Sequence, residues 1–419
     1  MSQHDYVIDN QTFPNTRTDL NNALAAIATT NAGATAPSTT YAYQLWYDTT
    51  TDFIKMRNAD NDAWITLFEL DQTNDTVSLP ATSIQPNPNL IINGAFQIWQ
   101  RQTSATTVSG NDIFAADRFK GWANGGGTYT VEQSTDVPNN EFEFSAKLTN
   151  TATDSSVAAG DFYAYATDIE GYNVSQLAYG HSDAKAVTLS FWVKSSLAGT
   201  YCIALYSTIA DRSHIKEYTI SSANTWEKKT ITISSGDTTG SWNRTNGNGL
   251  RIYWDLGSGS TYQASADTWL ASQDFSTTNQ AAWIGSASAT FFITGVKLEV
   301  GLSSTSFIHE DYNTTLVKCQ RYYQKPDKFY YGHFISSTDV AVNFEPTVSF
   351  RAAPTATLTT TSPSGEVPWL VALTGSSSTI NSTHMKKDGG DVRISGFSGY
   401  TQFTPFSIVG QMLAFEAEL

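Results

Sequence analysis

Cysteine, charge and long apolar runs are all scarce in this chain, and each scarcity removes a class of protein. Two cysteines, Cys202 and Cys319, among 419 residues make neither a disulfide framework nor a CxxC pair for zinc. Cys202, inside YCIALY, reads as a small core residue. Charged residues are 15% of the chain, and 24 Lys+Arg against 39 Asp+Glu leave a formal charge of −15. A duplex-binding protein needs a cationic footprint, so nucleic acid is not an expected partner. No stretch approaches the roughly 18 apolar residues of a membrane span, so no membrane insertion is expected. The polar start, residues 1–15, has no apolar h-region, so no Sec signal is expected and synthesis in a cytosol follows. The six histidines (His4, His181, His214, His309, His333 and His384) are scattered, with no two at metal-ligand spacing. The HExxH, GxSxG, P-loop and GxGxxG patterns are missing, and the chain is not expected to be an enzyme.

Aromatics, by contrast, reach 13%, alongside abundant Ser, Thr, Asn and Gly. That mixture suits strands and their turns, and so many aromatic side chains argue against disorder. At this length, two to four domains are expected. Residues 1–70 read as a small helix-plus-β-meander module. Asn15 or Thr16 caps the helix, with Asp19 completing an approximate capping box. Leu20, Ala23, Leu24 and Ile27 then mark one apolar face. Strands are expected at 43–47, 52–56 and 63–68, with turns at 48–51 and 58–62. Such a module has a marginal core, so we expect copies of itself or a larger assembly to complete it, with Leu20, Leu24 and Ile27 as the docking or oligomer face. Three prolines in 71–88 mark a linker or an extended arm.

Residues 89–311 carry the longest alternating pattern, for example Val187, Leu189, Phe191 and Val193, and then Leu250, Ile252, Trp254 and Leu256. Strands at this density, with Gly/Ser/Asn turns between them, predict an antiparallel jelly-roll sandwich. Its last strand, near 290–300, places Phe292, Val296, Leu298 and Val300 on one face and Lys297 and Glu299 on the other. Phe291 and Ile293 make its start apolar on both faces, which puts it inside a sheet. The period then becomes helical over 312–325, with Leu316, Cys319 and Tyr323 in one stripe, until Pro326 stops it. Leu316 and Tyr323 are candidate contacts between copies, although two turns are too short to hold an oligomer alone. Residues 326–419 return to short strands at 340–344, 355–359 and 391–395, and alternate to Leu419. This is a small C-terminal β domain, and the whole chain is mainly β.

Sugar binding needs an aromatic face together with fixed amides or hydroxyls. The loop SWNRTNGNG offers Trp242, Asn243, Arg244 and Asn246, and Trp269 stands in a second excursion. The same tryptophans also suit covers for the sandwich ends. If Trp242 contacts a glycan, Trp242→Ala weakens adsorption without lowering the melting temperature. Asp161, Asp168 and Glu170 cluster in sequence; they read either as a solvated rim or as carboxylates flanking a glycosidic bond. The Asp117–Arg118 pair reads as a surface contact worth at most about 1 kcal/mol. No cofactor is expected; a structural Ca²⁺ held by Asp carboxylates stays open, without an EF-hand run to support it.

Several stretches resemble bacteriophage tail fibre and tail-tip proteins. TGVKLEVG, SFIHEDY and LVKCQRYYQK look like the closing strand and following helix of a carbohydrate-binding-like jelly roll in that family. NLIINGAFQIWQR and AADRF resemble its opening motifs, with Phe119 where the family carries tryptophan, a volume-tolerant change. TRTDLNNALAAIATTNAGATAPSTTYAYQLWYDTTTDFIKMRNADNDAWITL is similar to N-terminal segments of the same proteins, and FEAEL to their ends. The resemblance implies a virion structural protein: a homotrimer that docks on other tail proteins through its first module and presents β domains to a bacterial surface glycan for host attachment. A polysaccharide depolymerase and a purely architectural adaptor are the alternatives. Long β-helix repeats would favour the depolymerase, and none is visible.

Overall fold

The computed structural model describes residues 3–4, 7–8, 10–72, 76–78, 89–209, 211–327, 330–359, 379–397, 402–403, 405–408 and 413–419. The chain forms two compact units, Met1–Asn87 and Pro88–Leu419.

In the first unit the helix spans Phe13–Ala28, with Thr12 at the N-cap position and Pro14 in its first turn. It begins a turn earlier than the Asn15/Thr16 cap expected from sequence. Proline fixes φ near the helical value and needs no N–H partner there, so it starts the helix by itself. Ala23 and Ala26 face inward, while Leu20, Leu24 and Ile27 are 49%, 55% and 62% exposed. Strands Leu45–Asp48, Phe53–Arg57, Trp64–Asp71 and Thr76–Ser78 form an antiparallel meander in that order. The last of these comes from the stretch read as a linker; residues 79–88 of that stretch lie outside the described residues. Trp46 is buried against the edge of Trp64 at 5.3 Å, with Lys55 Nζ over its ring at 4.7 Å. Among the described residues of this unit, the buried hydrophobics are Ala23, Ala26 and Trp46, and none belongs to a larger apolar cluster.

The second unit begins with a sandwich. One sheet contains, in spatial order, Trp269–Leu270, Arg212–Ile220, Gly199–Ser207, Asn248–Ser258, Phe162–Glu170, Phe119–Asn124 and Ile113–Phe114. The other contains Glu227–Ile233, Val187–Ser195, Thr290–Val300, Ser145–Ala152, Thr128–Ser134 and Thr106–Val108. Alternate residues of both sheets meet in one core that includes Phe119, Tyr165, Phe191, Trp254 and Phe291. The strand Thr290–Val300 lies inside its sheet, as its doubly apolar start requires. Its facing is different from a simple alternation. Phe291 and Ile293 point into the core, and so do Val296 and Leu298, whereas Phe292 does not join that core. The pairing with Val187–Ser195 shifts register between Ser190 and Trp192, and Gly295 sits at φ +62°. This bulge absorbs one residue, so the faces swap parity across it. A Cβ at Gly295 would also stand 2.7 Å from the Phe142 ring. Lys297 and Glu299 are buried, not solvated: they lie 3.1 Å apart, and Glu299 accepts hydrogen bonds from Thr305 N and Oγ1.

The linking helix is shorter than its pattern. It spans Tyr312–Gln320, with Asp311 accepting from Asn313 N and Thr314 N at its start. Tyr323 is therefore not on the helical stripe. Tyr323–Gln324 pairs as a strand with Leu413–Glu416, and Ala417 N donates to Tyr322 O at 2.7 Å. Ladder hydrogen bonds with the end of the chain pull these residues into extended backbone before Pro326 is reached. Strand Leu413–Glu416 also pairs with Thr355–Leu358, and a five-stranded sheet runs Thr379–Thr383, Gly390–Ser395, Asp339–Phe344, Tyr330–Phe334, Pro405–Ile408. These sheets share a small core in which Phe344 stacks on Phe415 at 3.6 Å.

Candidate functional site

Within the second unit, the NLIINGAFQIWQR, AADRF, LVKCQRYYQK and FEAEL stretches meet where the sandwich joins the C-terminal sheets. Asn89 closes the opening motif onto the last sandwich strand. Its Nδ2 donates to Val296 O at 2.8 Å, and its Oδ1 accepts from Leu298 N at 3.0 Å. Asn93 Nδ2 donates to both Ile98 O and Asp117 O, tying the opening motif to the 115–119 stretch.

Asp117 and Arg118 are not a surface pair, and the local-contact reading is corrected: both are buried, and each turns to different partners. Asp117 accepts from Gln100 N (2.7 Å) and Gln100 Nε2 (2.6 Å). Burial pushes its carboxyl up to about 6, against the opposing pull of Arg101 and Gln100. Arg118 sits over the Tyr322 ring at 3.6 Å, donates to Asp168 O at 2.6 Å and pairs with Glu418. Arg101 covers the Tyr323 ring at 3.8 Å and reaches Glu418 at 3.3 Å. Tyr323 is thereby enclosed in this joint, and the contact between copies expected of it is overturned. Leu316 is half-buried on the helix.

The sequence cluster of carboxylates is not a spatial one. Asp161 precedes the strand that carries Asp168, seven residues and roughly 23 Å away along an extended chain. Asp168 receives Arg251 through two nitrogens and Lys120 Nζ at 2.5 Å. Burial alone would raise its carboxyl, but these two cations hold it well below the usual range. Glu170 accepts from Arg321 Nε (2.9 Å), Arg321 Nη2 (2.6 Å) and the Tyr322 hydroxyl (2.6 Å). Burial again raises and these partners lower, with a net fall. Asp168 and Glu170 are therefore buried anions rather than a solvated rim, Asp168 paired within its own sheet and Glu170 with the exit of the linking helix.

The loop expected to face a glycan supports this joint. Trp242 is only 9% exposed and packs edge-on against Tyr179 (4.9 Å) and Trp269 (5.7 Å) in the sandwich core, with its Nε1 donating to Thr239 O. The end-cover reading fits it, since an amphipathic indole closes an open sandwich end while its N–H reaches backbone. Trp269 is half-buried and donates to Ser235 O. Asn243 Oδ1 accepts from Thr245 N, an Asx turn within the loop. Arg244 donates to Ser175 O at 3.1 Å and contacts His181 Nε2 at 3.0 Å. Asn246 and Arg351 exchange hydrogen bonds: Asn246 Nδ2 donates to Arg351 O, and Arg351 Nη1 donates to Asn246 O. The five residues are brought near one sandwich end, but as braces.

The loop also seats a corner that sequence reasoning missed. Strand Phe162–Glu170 ends in a short helical turn, Gly171–Val174. Gly171 N donates to Gly247 O, and Tyr172 N to Thr245 O. A Cβ on Gly171 would stand 2.6 Å from the Asn243 and Thr245 carbonyl oxygens, so only glycine fits. Beyond it opens a groove of about 510 Å³, lined from the opening motif (Asn89, Leu90, Ile92), the corner (Glu170, Tyr172, Asn173, Gln176) and the linking helix with its exit (Lys318, Arg321, Tyr322). Tyr172 is 58% exposed. The signal available in sequence was the Gly-Tyr-Asn run closing an otherwise buried strand.

In the first unit, Leu20, Leu24 and Ile27 share an exposed helix face with Phe13. Ile27 continues into a shallow pocket of about 520 Å³ with Tyr41, Tyr43 and Leu45. Among the described residues, no three His, Cys, Asp or Glu are grouped to hold a metal, and no helix is long and apolar enough to cross a membrane.

No protein-family model matches this chain, and no curated protein does. Similar solved structures include the enzymatically active domain of bacteriophage CBA120 tailspike protein 4, at 15% identity and TM-score 0.27, over 51% of this chain and 21% of that one. Another is an arabinose-bound GH51 α-L-arabinofuranosidase, at 11% identity and TM-score 0.30, over 52% of this chain and 27% of that one. The chain thus spans about a quarter or less of either protein. A family 11 carbohydrate-binding module from Clostridium thermocellum, in complex with a β-1,3-1,4-mixed-linked tetrasaccharide, is similar over 48% of this chain and 99% of its own, at 9% identity and TM-score 0.26.

Proposed function

We propose that this chain is a non-catalytic structural protein of a bacteriophage tail. It is anchored to the virion by its first unit and presents its second unit for adhesion to host-surface glycans. The observation that carries the reading is the helix Phe13–Ala28. Its apolar residues Leu20, Leu24 and Ile27 stand in solvent on a unit whose own buried hydrophobics, among the described residues, are two alanines and one tryptophan. An apolar stripe of this kind is an interaction face, because nothing in so small a core offsets its exposure. Phe13, Leu20 and Ile27 recur every seven residues, a period that suits identical helices packed side by side, and the tail-fibre resemblance implies that the copies number three. The described residues of the second unit, by contrast, have a large apolar core, and ion pairs of Arg118 with Glu418 and of Arg321 with Glu170 join its sandwich to the segments that follow it.

Cleavage of a glycosidic bond requires one carboxyl kept protonated as the acid. Asp168 and Glu170 are instead engaged by Arg251, Lys120, Arg321 and Tyr322, so this pair does not supply that acid. Removal of residues 1–88 tests the anchor. Recombinant 89–419 is expected to fold yet not enter virions, and its normal incorporation refutes the assignment. For the full chain, sedimentation equilibrium is expected to give a trimer that Leu20→Asp/Leu24→Asp converts to monomer. A monomeric wild type removes the homotrimer from the proposal.

A further inference from the structure

The groove between the opening motif, the Gly171–Val174 corner and the linking helix has the make-up of a sugar site, and the loop around Trp242 does not. Its volume, about 510 Å³, lies within the range of small-ligand sites. On one wall stands Tyr172, 58% exposed, offering the flat ring that the apolar side of a pyranose needs. Asn173 and Gln176, both exposed on the same corner, bring carboxamides that donate and accept at once, as a pair of vicinal hydroxyls does. Lys318, paired with Glu310, and Arg321, paired with Glu170, also line the groove, and their remaining N–H groups supply donors for ring and exocyclic oxygens.

The walls are also rigid. Glu170 is locked by Arg321 and Tyr322, Asn89 by Val296 and Leu298, and the corner backbone by the carbonyls of Thr245 and Gly247. A pre-formed site loses little conformational entropy on binding, which matters for a weak ligand such as one or two sugar units.

We propose that this groove is a saccharide-binding site that takes one or two pyranose residues of a bacterial surface polysaccharide, stacked on Tyr172 and held by Asn173, Gln176, Lys318 and Arg321. The proposal rests on the glycan-adhesion reading and assigns it a place. The test uses the full chain on an array of bacterial surface polysaccharides and their oligosaccharides, followed by calorimetry on the best-bound oligosaccharide. Tyr172→Ala, and separately Asn173→Ala/Gln176→Ala, are expected to weaken binding at least tenfold with an unchanged melting temperature. Tyr331→Ala, which removes a 69% exposed ring from the C-terminal sheet, is expected to bind as wild type. If wild type binds and the Tyr172 and Asn173/Gln176 variants bind equally well, or if Tyr331→Ala alone abolishes binding, the groove is overturned and glycan adhesion stands. If wild type binds nothing on the array, both fall.

Discussion

Replacing Asp168 by asparagine keeps the shape of the side chain and removes its charge. In the native protein its carboxylate faces Arg251 through two nitrogens and Lys120 at 2.5 Å, and the Asp168 and Lys120 side chains are 3% and 1% exposed. After the change, Arg251 keeps its place over the Trp122 ring at 4.4 Å, and Lys120 keeps Asp112, a partner 55% exposed, and the Leu419 carbonyl oxygen at 3.0 Å, neither of which replaces a buried carboxylate. An exposed pair of this type would be worth at most about 1 kcal/mol. Breaking a buried one leaves uncompensated charge and costs about 3–5 kcal/mol. In a domain of this size each kcal/mol moves Tm by roughly 2 °C, so Asp168→Asn is expected to lower Tm by about 6–10 °C. The effect should also depend on pH. The folded carboxyl lies below its ordinary value, because Arg251 and Lys120 outweigh burial. Its contribution is therefore whole above the unfolded value, near pH 4, and is lost as pH falls through the folded value. Urea unfolding of wild type and variant, followed by tryptophan fluorescence, should give a constant gap from pH 7 to about pH 5 that narrows in stronger acid. A gap under 1 kcal/mol at pH 7, or one that persists unchanged in strong acid, would refute the assignment of Asp168 as the buried anion that compensates Arg251 and Lys120.

Two further outcomes are expected. Trp242→Ala should lower stability by about 3–5 kcal/mol, because it empties a core site against Tyr179 and Trp269; an unchanged Tm would return this residue to the surface role read from sequence. Asp255, buried among the Ser258 and Ser276 hydroxyls, is pushed up to about 6 by burial despite those hydrogen bonds. The folded state then binds its proton before the unfolded state does, so stability should rise as pH falls from about 6 toward 4. Asp255→Asn should remove part of that rise, with Asp117 supplying the remainder. It should also stabilise the protein at pH 7 by up to about 3 kcal/mol, the worth of about two pKa units. Circular-dichroism melts across pH 4–7 check both, and a variant whose pH profile overlays wild type contradicts the shift.

The alternation at 187–194 and 250–256 was legible because burial on one face of a strand is written in neighbouring residues. Period-two reading failed at Phe292, where Gly295 absorbs a residue and reverses the faces; a glycine inside a strand pattern was the available sign. The helical reading failed at Tyr323 because the extended partner of that residue lies at the far end of the chain, at Glu416. The polar joint was the least legible part, for the same reason. In a chain with only 24 Lys+Arg, charged residues read as solvent-facing one by one, and nothing near Arg118 announces Glu418, or near Glu170 announces Arg321. A buried cation is tolerable only beside its anion, so each buried charge implies a partner without naming it. Sequence resemblance marked the segments that meet there, and the geometry supplies the physical reason: Arg118, Arg321 and Tyr322 lie inside those segments and together fasten the C-terminal sheets to the sandwich. The groove with Tyr172 lies against that fastening, so its shape depends on ion pairs that no local pattern displays.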